Sequence, residues 1–322
     1  MITFSDIQAA HSRIEQLINR TPIMTSRTIN EMVHADVFFK CENFQKAGAF
    51  KIRGAMHALS RLTDEEKERG VVTHSSGNHA QALALASCIV GVRATIVMPE
   101  NAPRVKVEAT KGYGAEVVFC GNTEVDRIAT ADSLIESHGY TMVHPYDDDR
   151  IICGAATAAL ELLEDTGGTD IIIAPVGGGG LLSGTSLAAK LSDKDIQVYA
   201  AEPKGADDAY RSFTSGDIVK NDRVSTIADG LRTNLSRRTF SIIFENVDGI
   251  VTVSDREIIQ AMRLLWERMK IVVEPSGAVP LAGILKRDIQ IAGKRVGVIL
   301  SGGNIDLRDF FKLLEGNILD GS

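Results

Sequence analysis

Residues 171–191 read IIIAPVGGGGLLSGTSLAAKL. The opening apolar run, Ile171–Val176, does not alternate with polar residues, so it predicts a strand buried on both faces of a sheet. Four glycines follow, Gly177, Gly178, Gly179 and Gly180, and then an Ala- and Leu-rich helical segment over 181–191. Glycine lets backbone amides crowd around an anion, and a helix N-terminus adds partial positive charge. The stretch therefore predicts a phosphate cradle built from backbone. Two better-known phosphate loops fail residue by residue. A G-x-G-x-x-G dinucleotide pattern counted from Gly177 meets Leu182, and counted from Gly178 it meets Ser183. Gly179–Gly184 has nucleotide-triphosphate spacing, but Thr185 stands where the phosphate-binding lysine belongs.

Outward from this stretch, strand and helix alternate. Strands are expected at Val71–His74, Ala94–Met98, Glu116–Phe119, Thr141–His144, Val198–Glu202, Gly249–Val253 and Arg295–Leu300. Helices are expected at Ala80–Val90, Val105–Lys111, Glu124–Ser137, Ala155–Glu164 and Asp255–Met269. Strands separated by helices of this length predict an α/β fold with parallel-rich sheets flanked by helices. The N-terminal stretch reads as an amphipathic helix capped by Ser5, without a secretion signal.

Composition removes several classes of function. A formal net charge of −7 with scattered Lys and Arg argues against a nucleic-acid partner. Apolar runs such as Ala82–Val90 fall well short of the ~20 residues that span a membrane. Cys41, Cys88, Cys120 and Cys153 stand far apart with no Cys-x-x-Cys pair, so reduced thiols and a cytoplasmic location are expected.

Two further segments carry chemistry. Lys51 lies in KCENFQKAGAFKIRGAMHAL at the start of an Ala-rich helix, after the apolar Ala47–Phe50. Desolvation there lowers a lysine pKa and makes the neutral, nucleophilic amine accessible. The turn Ser75-Ser76-Gly77-Asn78-His79 joins a strand to a helix, where amides and hydroxyls converge on a carboxylate or a ring oxygen.

Taken in order, F-K-x-R-G at Phe50–Gly54, S-S-G-N-H at Ser75–His79, G-G-G-G-L at Gly177–Leu181 and S-G-G-N at Ser301–Asn304 form one signature. It resembles the fold-type II (tryptophan synthase β-like) pyridoxal-phosphate enzymes, within them the serine racemase and serine/threonine dehydratase group, hydroxyaspartate dehydratase included. The likeness runs from Thr21–Ile23 to Leu300–Leu307. It implies a large cofactor domain made of residues 1–69 and 148–322, a small substrate-binding domain of 70–147, and a homodimer.

The resemblance also assigns roles. Lys51 would carry pyridoxal 5'-phosphate as a Schiff base and then act as base at the substrate Cα. Phe50 would lie against the cofactor ring, Asn78 would bond its hydroxyl oxygen, and Gly177–Gly180 would bind its phosphate. Ser301 would face the pyridine nitrogen, where a serine cannot keep that nitrogen protonated as an aspartate would; the weaker electron sink favours prompt β-elimination. Ser76 would be a second acid/base opposite Lys51. Ser75, Ser76, Asn78 and His79 would hold the substrate carboxylate, and Arg127 would reach toward substrate. Glu202, the Ala206 carbonyl and Asp208 would hold Mg²⁺ (or Ca²⁺ or Mn²⁺), a donor set suited to a hard cation.

Three positions depart from the pattern: Ala49 replaces a common serine, Tyr146 replaces an asparagine of animal serine racemases, and Gly154-Ala155-Ala156 replaces Gly-Gln-Gly. The first two lean toward a dehydratase. The implied reaction is dehydration and deamination of serine, threonine or 3-hydroxyaspartate to a 2-oxo acid and ammonia. The alternative is a serine or aspartate-type racemase using Lys51 and Ser76.

Overall fold

The buried strand and its neighbours are present in the computed structural model, which describes residues 1–102 and 104–319. Among these residues ten strands form: β1 (Ile23–Met24), β2 (Asp36–Cys41), β3 (Val71–His74), β4 (Ala94–Pro99), β5 (Glu116–Cys120), β6 (Thr141–Met142), β7 (Ile171–Pro175), β8 (Gln197–Pro203), β9 (Gly249–Val253) and β10 (Arg295–Leu300). They sort into a six-stranded sheet, β1-β2-β10-β7-β8-β9, and a four-stranded sheet, β5-β4-β3-β6. Every pairing is parallel except β1 with β2.

Strand β7 shows why its residues are apolar throughout. Ile171 and Ile173 enter one core while Ile172 and Ala174 enter the core on the opposite face. Each such isoleucine, fully buried, contributes roughly 1.5–3 kcal/mol of transfer free energy. β7 ends against the glycines, and helix Gly180–Ser192 then packs back onto helix Asp149–Thr166.

Helices cross closely at 154–156. A Cβ on Gly154 would stand 2.5 Å from the Arg53 carbonyl oxygen, and one on Gly184 would stand 2.7 Å from the Ala156 amide nitrogen. Small residues there let helix Lys51–Ser60 and helix Gly180–Ser192 approach helix Asp149–Thr166 from its two sides.

The arginine of F-K-x-R-G has a structural partner set. Arg53 is fully buried and bonds Glu42 (Nε to Oε2, 2.7 Å) and Glu161 (Nη2 to Oε2, 2.7 Å), while Lys40 Nζ reaches Glu161 Oε2 at 2.6 Å. Burial alone would push the Glu161 carboxyl up, but His11 and Arg53 hold it below its ordinary range. This network fixes helix Lys51–Ser60 to β2 and to helix Asp149–Thr166.

Local expectations are corrected in three places. Thr3, not Ser5, caps the first helix, Phe4–Ile14, because Thr3 and Asp6 close a reciprocal box: the Asp6 amide donates to Thr3 Oγ1 and the Thr3 amide donates to Asp6 Oδ2. The strand expected over 141–144 stops at Met142. His144 leaves the ladder and turns its ring to take the amides of Tyr146 and Asp147. The helix expected over 255–269 is regular only to Leu264, and Leu265–Met269 forms a π-turn closed by Lys270 at φ +61°.

Candidate active site

Lys51 is delivered by a strained turn. Ala47 (φ +56°) and Gly48 (φ +70°) bend the chain so that residues 47–50 lie antiparallel to 301–304. Asn304 Nδ2 donates to the Ala47 carbonyl (2.7 Å), the Gly303 amide to the Gly48 carbonyl (2.9 Å), and the Phe50 amide to the Ser301 carbonyl (3.0 Å). A Cβ on Gly48 would collide with the Asn304 side chain, so glycine is required there. Two of the sequence motifs are thus one piece of structure.

Lys51 itself begins helix Lys51–Ser60. Its Nζ donates to the Pro145 carbonyl (2.8 Å) and stands 5.1 Å from the centroid of the Phe50 ring. The residue keeps some exposure, yet its amine end is surrounded by protein, and that burial brings the pKa down to about 8. One carbonyl and an aromatic ring do not replace the water an ammonium loses.

The four glycines are buried at the end of β7. Gly179 adopts φ +88°, and a Cβ on Gly178 would stand 2.5 Å from the Tyr146 ring. Helix Gly180–Ser192 starts with no side chain capping its N-terminus, which leaves its first amides for a bound anion.

The SSGNH turn faces the same cleft. Helix Asn78–Val90 also begins without a side-chain cap. The Asn78 side chain donates to Glu274 Oε1 (2.7 Å) and accepts from Asn304 Nδ2 (3.0 Å). The Ser75 hydroxyl accepts from the Gly77 amide (3.3 Å), and the Ser76 hydroxyl takes no partner among the described residues. His79 differs from expectation: its ring is buried, its Nε2 pairs with the Val143 carbonyl (3.1 Å), and burial brings its pKa to about 3. The ring is engaged by the protein itself.

Sequence reasoning did not single out Glu274, His74 or His144. Glu274 is 3% exposed, and burial, reinforced by the Asp229 charge and opposed by the Asn78 bond, pushes its pKa up to about 8. The available signal was an acid directly before Pro275, at a helix start. His144 Nδ1 accepts from the Asp147 amide (2.8 Å) and the Tyr146 amide (3.2 Å), while burial, with His74 adding to it, lowers its pKa to about 4. The ring is therefore neutral, its proton on Nε2. It stands edge-on to His74 (5.6 Å) and to Tyr146 (4.8 Å). The Arg127 side chain, in the first turn of helix Glu124–His138, has no hydrogen-bond or carboxylate partner among the described residues, and its charge helps burial to depress His74.

A family model described as pyridoxal-phosphate dependent enzyme matches residues 14–302. The chain belongs to that family. It is 51% identical to the serine racemase of Dictyostelium discoideum, over 98% of each chain, and 47% identical to the L-threo-3-hydroxyaspartate ammonia-lyase of Saccharomyces cerevisiae, over 98% of this chain and 97% of the relative. The crystal structure of the Dictyostelium racemase superposes with a TM-score of 0.91, covering 95% of this chain and 99% of that one.

The residues fit the family's cofactor. An enclosed amine of lowered pKa, a glycine cradle where a Cβ would collide, and an uncapped helix start supply the covalent anchor and the phosphate seat that a pyridoxal-phosphate enzyme requires. Phe50 lies beside Lys51, Asn78 beside Glu274, and Ser301, directly after β10, accepts the Phe50 amide on its carbonyl.

The candidate metal residues form a different arrangement. No cluster of three or more His, Cys, Asp or Glu side chains able to hold a metal occurs among the described residues. Glu202 is fully buried at the end of β8 and accepts from the Ala209 and Tyr210 amides (3.0 and 2.8 Å). Asp208, also buried, accepts from Asn221 Nδ2 (2.7 Å) and the Leu235 amide (3.1 Å). Burial and then the neighbouring Asp208 charge push Glu202 well above its ordinary range, and burial carries Asp208 to about 6. Ala206, fully buried, lies between them in the turn Lys204–Ala206.

Proposed function

We propose that this chain removes water and ammonia from a small β-hydroxy amino acid, with serine, threonine and 3-hydroxyaspartate as the candidate substrates. One observation carries the reading: the Lys51 amine, its pKa brought to about 8 by burial, donates to the Pro145 carbonyl next to Tyr146, whose ring covers Gly178, and its charge acts on His79 of the SSGNH turn. Pyridoxal phosphate, when bound, supplies an electrophilic aldehyde and a conjugated ring that accepts the electron pair left at the substrate Cα.

The protein's own residues do the rest. The Lys51 amine takes the Cα proton. Ser75, Ser76, Asn78 and the amides opening helix Asn78–Val90 seat the α-carboxylate, because that helix start leaves its N–H groups free for an anion. Tyr146, packed on Gly178 and Gly180, keeps water from the cradle. The β-hydroxyl departs as water, taking up the proton that Lys51 has removed from Cα, and the resulting enamine hydrolyses to a 2-oxo acid and ammonia. Arg127, unpaired and beside His74, suits the second carboxylate of hydroxyaspartate. The 47% identity to a hydroxyaspartate ammonia-lyase supports that substrate.

A racemase reading rests on Ser76, whose hydroxyl is free to reprotonate the face opposite Lys51, and on the 51% identity to a serine racemase. A hard cation at Glu202, the Ala206 carbonyl and Asp208 is part of the proposal, since two buried carboxylates of raised pKa gain most from one. So are two lobes, 1–69 with 148–322 and 70–147, a homodimer, and a cytoplasmic location in keeping with four free thiols. No helix among the described residues is long and apolar enough to cross a membrane.

The test is a panel of L- and D-serine, threonine and hydroxyaspartate diastereomers, scored for oxo acid and for inverted amino acid. Oxo acid from none of them sinks the dehydratase reading. A Ser76→Ala variant that still racemises sinks the second.

A further inference from the structure

Resting on the reading that substrate is held between the two sheets, we propose that Lys106 is a positioning residue whose ion pair with Asp229 latches the four-stranded lobe over the glycine cradle. Lys106 lies in the first turn of helix Arg104–Gly112, which packs on helix Asn78–Val90, the element that opens with the carboxylate seat. Asp229 belongs to the turn Asp229–Leu231, which roofs the cradle: a Cβ on Gly177 would stand 2.8 Å from the Leu231 Cα.

That roof is fixed to its own side of the cleft. Thr226 Oγ1 and the Ile227 amide donate to the Asp255 carboxylate (2.6 and 3.1 Å), Arg232 Nη2 donates to the Thr226 carbonyl (2.5 Å), and the Gly230 amide donates to Ser276 Oγ (3.0 Å). Asp229 is thus held with the six-stranded sheet while Lys106 is carried by the other lobe. The pair bridges the gap across which the substrate carboxylate seat must meet Lys51.

A second bridge, Asn78 to Glu274, crosses the same cleft at the reacting centre. The two differ in kind. Asn78 belongs to the ligand-binding turn and can exchange its partner when the site is filled. Lys106 and Asp229 belong to none of the residues assigned to substrate or cofactor, and their opposite charges offset one another at Glu274, so the pair acts chiefly on the balance between open and closed lobes. Its loss changes apparent substrate affinity and spares the chemical step. The side chains are 23% and 40% exposed, which limits the effect to about three- to fivefold and makes it sensitive to salt.

The experiment uses the holoenzyme and four forms: wild type, Lys106→Met, Lys106→Arg, and the reciprocal exchange Lys106→Asp with Asp229→Lys. KM and kcat for oxo-acid release from L-serine are measured at low and high salt, together with amide hydrogen exchange over residues 104–112. Lys106→Met should raise KM about three- to fivefold, leave kcat within about twofold, remove the salt dependence of KM, and speed exchange over 104–112. Lys106→Arg and the reciprocal exchange should restore both readouts. An unchanged salt response and unchanged exchange in Lys106→Met, or no restoration by the reciprocal pair, overturns the latch. If wild type releases no oxo acid from any β-hydroxy amino acid, the reaction assignment fails, and the exchange rates alone decide the latch.

Discussion

Helices of this molecule begin in two ways. Helices Phe4–Ile14, Asp64–Arg69, Glu124–His138, Arg237–Asn246 and Asp255–Leu264 close their own N-termini with a Ser or Thr cap and a reciprocal partner three residues on. Helices Lys51–Ser60, Asn78–Val90, Gly180–Ser192 and Pro275–Leu285 have no side-chain cap and no acid in the first turn. An uncapped start forgoes roughly 1 kcal/mol of local stability and leaves amide donors unsatisfied. All four of these starts surround Lys51, Asn78, the glycines and Glu274. The stability forgone there is what a bound anion returns, so the molecule marks its ligand site by the caps it lacks.

The contrast breaks most easily at Lys51. Lys51→Ala should abolish oxo-acid release, by roughly 10³-fold or more, while Tm stays near wild type, because the amine's hydrogen bond is to a single carbonyl. A large fall in Tm would mean that the open start is structural. Arg53, one helical half-turn on, should give the opposite result. Arg53→Met leaves Glu42 buried without its counter-charge and Glu161 with Lys40 in place of two cations, and should cost about 3–5 kcal/mol, read by denaturant unfolding.

At the cradle, Gly178→Ala drives a methyl against the Tyr146 ring. Cofactor affinity should fall about tenfold or more, followed by absorbance titration, and the displaced ring should cost the cofactor-free protein about 1–3 kcal/mol. The capped counterpart is Ser254→Ala, which should remove about 1 kcal/mol of stability and leave kcat/KM untouched. If Ser254→Ala instead weakened cofactor binding, the division between the two kinds of helix start would fall.

The smallest effect is a pH slope. Folded Glu274 titrates near 8 against an ordinary value of 4.5, so between these values the folded, cofactor-free protein holds a proton that the unfolded chain has released. Its contribution to stability is full below the lower value and is lost as pH rises through the higher one. Glu274→Gln, neutral throughout, should flatten that decline in a Tm-against-pH series.

Amino-acid order determined the local features of this protein by itself. Ile171–Val176, apolar throughout, reads as a strand with both faces covered, and Gly177–Gly180 as a tight glycine turn into a helix, because these outcomes depend on residues adjacent in the chain. Tertiary structure alone decided what depends on distant partners: Asn78 with Glu274, 196 residues apart, Tyr146 on Gly178, and Arg53 clamped between Glu42 and Glu161. It also turned the His79 ring inward and stopped β6 at Met142, where propensity ran on to His144. The reason is physical. Burial and the identity of a neighbour set both side-chain orientation and pKa, and neither exists until the two sheets and their helices are assembled.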